Sequence, residues 1–234
     1  MTVVVLVLAA GRGTRLAQEV PKAYVRVAGR TLLEWSASAL GRAQGVDAVL
    51  PVVLEARHEA LEELSQTFSG PARLLEPVVG GATRQASVRC GLDAAERQLP
   101  DLGWVLVHDA ARACVEPADA ERVLAAAQAT GAALPVIPLG DTVKEIEGCR
   151  VIGTADRRRL ALAQTPQAFR RTVLREALEK AGREGFLGTD CAGLVERLGV
   201  SVQTCPGRPE NFKITQPDDL VLAEALLARR GGDL

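Results

Sequence analysis

Short, almost wholly apolar runs punctuate the chain, and between them lie longer stretches whose apolar positions recur three or four residues apart. The runs are VVVLVLA (3–9), VDAVLPVVL (46–54), ARLLEP (72–77), GWVLVHD (103–109) and GAALPVIP (131–138). Their length and content of β-branched residues predict buried strands. Helical spacing over about 31–42, 56–67, 83–97 and 117–130 predicts a helix after each of the first four. Strands alternating with helices imply right-handed βαβ units, hence an α/β fold with a mainly parallel sheet covered on both faces. Ligands of such sheets sit beyond the carboxyl ends of the strands. The loop after residue 9, the segment near Gly80 and the HDAAR after residue 107 are therefore expected to converge on one crevice.

The rhythm breaks after residue 138. DTVKEIEGCRVIGTADRRRL alternates polar and apolar positions about a turn near Gly148, which predicts a β-hairpin. Such a hairpin is a lid, an arm that reaches a partner, or an antiparallel addition to the edge of the main sheet. Helical spacing resumes near 170–183, 190–198 and 217–230. No internal repeat or low-complexity linker divides the chain, so residues 1–234 read as one domain with 139–160 as its arm.

Composition changes this picture mainly by exclusion. A net charge of −1 and 3% aromatic residues leave no electrostatic footprint or stacking surface for nucleic acid. Five scattered cysteines with no CxxC argue against a disulfide framework or zinc site and fit a reducing compartment. No Lys or Arg precedes VVVLVLAA, and the Gly turn after it favours a strand over a signal peptide. No apolar stretch approaches membrane-spanning length. A cytoplasmic protein is expected.

The chemistry concentrates in LAAGRGTRLAQEVPKAY (8–24). Walker A, counted from Gly11, requires a glycine where Leu16 stands, and the dinucleotide fingerprint fails at the same residue. The gap from Ala9 to the helix near Thr31 is far longer than the usual βα loop of about 2–6 residues. It offers backbone N–H groups with Arg12, Arg15 and Lys22. Lysine is scarce here, four against 24 arginines, so a Lys in this loop hints that a compact point charge is wanted. The loop reads as a polyphosphate grip; the plain alternative is a surface loop with solvated charges.

GGATRQASV (80–88) sets two glycines before a helix start, with Arg84 and Ser87 in its first turn or so. Helix N-termini favour anions, although a glycine turn capped by Thr83 would suffice structurally. VLVHDAAR (105–112) leaves Asp109 at the carboxyl end of a strand, able to hold Mg²⁺ on a triphosphate or simply to cap, with His108 half buried beside it. LAQTPQAF (162–169) supplies Thr165 and ENFKITQPDDL (210–220) supplies Lys213, while Pro217-Asp218-Asp219 reads as an ordinary helix start.

In this order, LAAGRGTRL…PKAY, GGATRQASV, HDAAR, DTV…DR, TPQAF, GTD and NFKITQPDDL resemble the 2-C-methyl-D-erythritol 4-phosphate cytidylyltransferase family, over nearly the whole chain. The resemblance implies a Rossmann-like nucleotidyltransferase fold and a step of non-mevalonate isoprenoid precursor synthesis. CTP and methylerythritol phosphate would give diphosphocytidyl-methylerythritol and pyrophosphate, with Mg²⁺ or another divalent cation. Carried over, Arg15 and Lys22 match positions that stabilise the transition state, and Lys213 and Arg157 those that position the acceptor phosphate. Ala10, Gly11, Gly13, Gly81, Ser87 and Ala110 fall where the family holds CTP, with Arg12, Thr14 and Arg84 beside them, and Asp109 falls where it holds the metal. Arg112, Thr142, Thr165 and Thr189 fall in acceptor-binding positions. The family's arm crosses a homodimer, so Thr142 and Arg157 would serve the partner's site. Ala86, Ala113 and Cys191 depart from the family's usual Asp, Pro and Glu.

The implied acceptor suits the residues present. A phosphate monoester, with its second pKa near about 6, needs no general base to attack phosphorus, and the chain has only two histidines. Cytidylyl transfer to another polyol phosphate, such as ribitol phosphate, is the alternative within the class. A nicotinamide-dependent oxidoreductase and a non-catalytic nucleotide sensor are the readings from other classes. The missing third glycine and ribose carboxylate count against the oxidoreductase.

Overall fold

The computed structural model describes residues 1–11, 20–54 and 58–231. The chain opens with β1 (Thr2–Leu8), and among the described residues a 3-10 turn at Lys22–Tyr24 and a small hairpin of β2 (Arg26–Val27) and β3 (Arg30–Thr31) come next. Next come α1 (Leu32–Gly41), β4 (Ala48–Val53), α2 (His58–Thr67), β5 (Arg73–Leu74), β6 (Val78–Val79), α3 (Arg84–Gln98), β7 (Leu102–Asp109), α4 (Pro117–Ala127) and β8 (Ala132–Pro138). The arm is β9 (Lys144–Glu147) and β10 (Arg150–Thr154). After it lie β11 (Ala161–Ala163), β12 (Gln167–Arg170), α5 (Arg171–Arg183), α6 (Cys191–Glu196), β13 (Gln203–Pro206) and α7 (Pro217–Gly231).

The main sheet runs β11-β8-β12-β7-β1-β4-β5, with β13 on β8 and β6 on β4. β1 is central and pairs in parallel with both β4 and β7. Val4 to Val7 are wholly buried, and each such side chain contributes roughly 1.5–3 kcal/mol over its exposed state. One apolar cluster joins one face of the sheet to α1 and α4, and a second joins the other face to α3, α5 and α6. A third, smaller cluster sets Ile214 and the α7 residues Ala223 and Leu227 against Trp35, Ala113 and Cys114.

Every helix expected from apolar spacing is present. Thr31 caps α1 in a box with Glu34, which also accepts a hydrogen bond from Thr67. Several short strands escape the pattern. QAFR forms β12, inserted antiparallel between β7 and β8, so the sheet is mixed where the alternation predicts parallel strands. The run at 72–77 shrinks to the two residues of β5, and a second two-residue strand, β6, follows just beyond it. Four-residue and shorter strands carry too few positions to show a period. The arm's strands form their own two-stranded sheet rather than extending the main one; β11, directly after the arm, rejoins the main sheet on β8.

Candidate functional site

The crevice is assembled by strand register. Leu8 lies opposite Asp109 across β1–β7 and opposite Val52 across β1–β4, which brings the carboxyl ends of three strands level. Beyond them Ala9 N–H donates to Val52 O at 2.7 Å, Gly80 N–H to Val53 O at 2.8 Å and Ala110 N–H to Leu8 O at 3.1 Å. The three motifs thus leave the sheet side by side. Gly80 is required by proximity: a Cβ there would stand 2.5 Å from Ala10 Cβ and 2.7 Å from Ser87 Oγ. Ser87 turns inward, its hydroxyl donating to Thr83 O at 3.0 Å and accepting from Gly81 N at 3.2 Å. Thr83 caps α3 by accepting from Ala86 N. The glycine turn is therefore closed by Ser87 and Thr83, which frees Arg84 to reach across to β7.

Asp109 is the centre of the site. One carboxylate oxygen accepts from Arg84 Nε at 3.0 Å and the other from Lys213 Nζ at 2.6 Å. Burial alone would raise its pKa, but Arg84 and Lys213 outweigh that and hold the carboxyl below the ordinary carboxylate range. Burial lowers the Arg84 pKa, but Asp109 more than reverses this and keeps the guanidinium charged. Arg84 Nη1 also contacts the buried Cys191 Sγ at 3.5 Å. Arg112 stands in the same cavity of about 220 Å³, with Gln164, Thr165, Gln167, Thr189 and Asp190. Three cations against the two carboxylates of Asp109 and Asp190 leave an excess of positive charge, the arrangement an anionic ligand would neutralise.

Side-chain amides hold the irregular backbone in place. Gln164 donates to Arg208 O at 2.7 Å and Asn211 O at 3.2 Å and accepts from Arg208 N at 3.1 Å. Asn211 donates to Thr165 O at 2.8 Å, and Arg112 donates to Asn211 O at 2.7 Å. Residues 208–214, which carry Lys213, are thereby stapled to the TPQ turn. Lys22 joins from the other side, its Nζ donating to Ile214 O at 2.5 Å. Gln167 bridges to the start of α6, donating to Asp190 at 2.7 Å and accepting from the N–H groups of Cys191 and Ala192. That clamp sets the backbone that presents Thr189.

The expected site residues divide into groups. Lys22, Arg84, Asp109, Arg112, Thr165, Thr189 and Lys213 are brought together, with Ala10 and Gly81 on the adjoining turn. A Cβ at Gly11 would meet no described atom within 4 Å. Ser87 and Ala110 back the site rather than face into it. Ala110 is fully buried, its N–H bonded to Leu8 and its carbonyl to Ser36. Thr165 is also turned inward; its hydroxyl accepts from Asp109 N at 3.1 Å and shares a hydrogen bond with His108 Nδ1. His108 is wholly buried rather than half buried, and burial pushes its pKa down to about 3, so it stays neutral. Thr142 and Arg157 stand exposed at the foot of the arm, where Arg157 donates to Gly140 O. Arg12, Gly13, Thr14 and Arg15 lie outside the described residues. Gln164, Gln167 and Asn211 fall inside the motifs but carry no charge to draw notice, and their pairing across distant turns, 47 residues apart for Gln164 and Asn211, is invisible in one dimension.

Among the described residues no helix is long and apolar enough to cross a membrane, and no three His, Cys, Asp or Glu side chains gather to hold a metal ion. A family model for 2-C-methyl-D-erythritol 4-phosphate cytidylyltransferase matches residues 3–229. A relative of that name from Saccharopolyspora erythraea is 45% identical over 233 residues, covering 97% of this chain and all of the relative. The bifunctional enzyme IspD/IspF of Nitrobacter hamburgensis is 42% identical over 231 residues, and the match covers 98% of this chain but only 56% of that protein. The crystal structure of 2-C-methyl-D-erythritol 4-phosphate cytidylyltransferase from Thermus thermophilus is 43% identical, covers 98% of this chain and 100% of its own, and superposes with a TM-score of 0.79. The likeness in sequence and in fold thus extends along nearly the whole chain, and the protein belongs to the 2-C-methyl-D-erythritol 4-phosphate cytidylyltransferase family.

Proposed function

We propose that this chain transfers CMP from CTP to 2-C-methyl-D-erythritol 4-phosphate, forming 4-diphosphocytidyl-2-C-methyl-D-erythritol and pyrophosphate. The observation that carries this reading is the cluster of Arg84, Arg112 and Lys213 around the one buried carboxylate of Asp109, at the carboxyl ends of β1 and β7. Such a cluster suits positioning and charge neutralisation, which phosphoryl and nucleotidyl transfers chiefly require. The acceptor phosphate is already ionised near neutral pH. The buried His108, held neutral and facing Thr165, is not needed to remove a proton.

In this reading the glycine turn at 80–81 and the loop at 10–15 hold the triphosphate, with Arg15 and Lys22 at the α-phosphate. Lys213 receives the acceptor phosphate, and Arg112, Thr165 and Thr189 orient the acceptor. As the acceptor oxygen bonds to the α-phosphorus, the bond to the β-phosphate oxygen breaks and pyrophosphate leaves with its electron pair. Asp109 suits Mg²⁺ carried in on the nucleotide. A single carboxylate with substrate phosphates is a usual way to hold this ion, and each Asp109 oxygen, which takes one hydrogen bond here, has further acceptor capacity. When bound, Mg²⁺ neutralises charge on the triphosphate and the leaving pyrophosphate.

A homodimer with exchanged arms and a cytoplasmic location belong to the same proposal. Ile146, Val151 and Ile152 on the arm are 69%, 62% and 60% exposed, an apolar surface suited to cover by a second copy. Thr142 and Arg157 would then complete the partner's site.

Pyrophosphate release tests the reading, with CTP and Mg²⁺ and either methylerythritol phosphate or ribitol phosphate, and with ATP, GTP and UTP as controls. Release that needs both CTP and methylerythritol phosphate is the expected result. Release only with ribitol phosphate would transfer the reading to another polyol, and release with no pair would overturn it.

A further inference from the structure

A cleft of about 330 Å³ lies between α1, the start of α4 and the end of α7. Its walls include Trp35, Ala39, Arg42, Val115, Glu116 and Arg230, and none of its lining residues lines the Asp109 cavity. Its volume falls within the range of small-ligand pockets, about 300–1,000 Å³.

The floor and the rim differ in chemistry. Trp35, Ala39 and Val115 are buried and apolar. At the rim, Glu116 is the cleft's one carboxylate and both its oxygens are taken, one by Arg230 at 2.7 Å and the other by Arg208. Arg42 donates to the Ser69 hydroxyl at 3.1 Å, but among the described residues no carboxylate pairs with it. Arg30 adds another cation, its guanidinium carbon 5.3 Å from the centre of the Trp35 ring. Burial, and then the like charges of Arg30 and Arg230, push the Arg42 pKa below its usual value. Cations crowded against one another over an apolar floor are relieved by an anion.

We infer that this cleft binds a small organic phosphate whose apolar body lies against Trp35 and Ala39 and whose phosphate meets Arg42 and Arg230. Inorganic phosphate would leave the floor uncovered, and a neutral ligand would leave Arg42 without a counter-charge, whereas Arg230 already pairs with Glu116. The segment lining one wall, Ala113–Pro117, continues directly from Asp109–Arg112, so the two sites lie on successive stretches of one backbone.

Benzyl phosphate is a suitable probe, with benzyl alcohol and inorganic phosphate as controls. The chain has two tryptophans, so Trp104→Phe leaves Trp35 as the reporter. Saturable change in its emission is expected with benzyl phosphate, unaltered by saturating CTP and Mg²⁺. Arg42→Gln should weaken the affinity at least ten-fold and Arg42→Lys should largely retain it. Calorimetry on the unsubstituted chain should give the same affinity and keeps the test independent of the Trp104 background. No saturable binding would overturn the inference. So would equal affinity for benzyl alcohol or inorganic phosphate, an Arg42→Gln variant that binds normally, or displacement by CTP. None of these readouts needs turnover, so they stand apart from the proposed reaction.

Discussion

Replacing Asp109 by Asn keeps the shape of the side chain and removes the charge that Arg84 and Lys213 share. In the native protein those cations sit 3.0 Å and 2.6 Å from its oxygens, with side chains 26% and 38% exposed. Removing one partner of a buried ion pair costs about 3–5 kcal/mol, because a desolvated charge is left without its counterpart. Lys213 is exposed enough for water to screen part of its loss, and the Asn oxygen still accepts one hydrogen bond. The expected destabilisation is therefore at the lower end, about 3 kcal/mol at pH 7. Urea unfolding measures it, as a lower midpoint with an unchanged slope. The pH dependence gives a second check. The native Asp109 carboxyl is held below its unfolded value near about 3.9. Its stabilisation is complete above that unfolded value and is lost as pH falls through the native one. The gap between wild type and Asp109→Asn should thus be constant from about pH 7 to 5 and narrow below about pH 4. A gap under about 1 kcal/mol at pH 7, or one that does not narrow in acid, would refute the view that Asp109 neutralises this cluster.

The other predictions concern turnover, packing and assembly. Lys213→Ala should lower kcat/KM by roughly 10²-fold or more, in line with the ~3–4 kcal/mol of a well-placed donor, with a smaller fall in the urea midpoint than Asp109→Asn because Arg84 still pairs the carboxylate; wild-type pyrophosphate release would remove Lys213 from the mechanism. His108, held neutral to about pH 3, binds fewer protons than in the unfolded chain, so its contribution is full above its unfolded pKa near about 6.5 and declines in acid. His108→Gln should therefore flatten the loss of stability between about pH 6.5 and 4.5, above the range where Asp109 acts. Gly80→Ala drives a methyl group into Ala10 and Ser87 and should cost about 1–3 kcal/mol in thermal or urea unfolding, together with weaker CTP binding by calorimetry. Ile152→Glu on the exposed arm should convert the proposed dimer to monomers in sedimentation velocity and reduce turnover, while the unfolding midpoint of the monomer is kept.

Much of the site was legible in one dimension because local chemistry marks it. Charged residues in or beside glycine-rich turns identified Lys22 and Arg84, the strand end marked Asp109, and the resemblance of HDAAR and NFKIT to the family's motifs singled out Arg112 and Lys213; the spacing of apolar runs placed the first three at strand ends. Thr83 was readable as a cap because capping depends on neighbours two or three residues away. The amides of Gln164, Gln167 and Asn211 could not be read this way, since each acts only after distant turns have come together.

The sequence by itself determined the alternating strands and helices, the hairpin after residue 138 and the cations of the opening loop and of the turn at 80–84, all of which follow from spacing or side-chain charge. Only the tertiary structure decided that β12 enters the sheet antiparallel and that Arg84 and Lys213 take opposite oxygens of Asp109. It also turned Ser87 and Thr165 inward as supports, and it opened the cleft beside Trp35. Those outcomes depend on contacts between residues far apart in the chain, where strand register and burial, rather than local preference, set the lowest free energy.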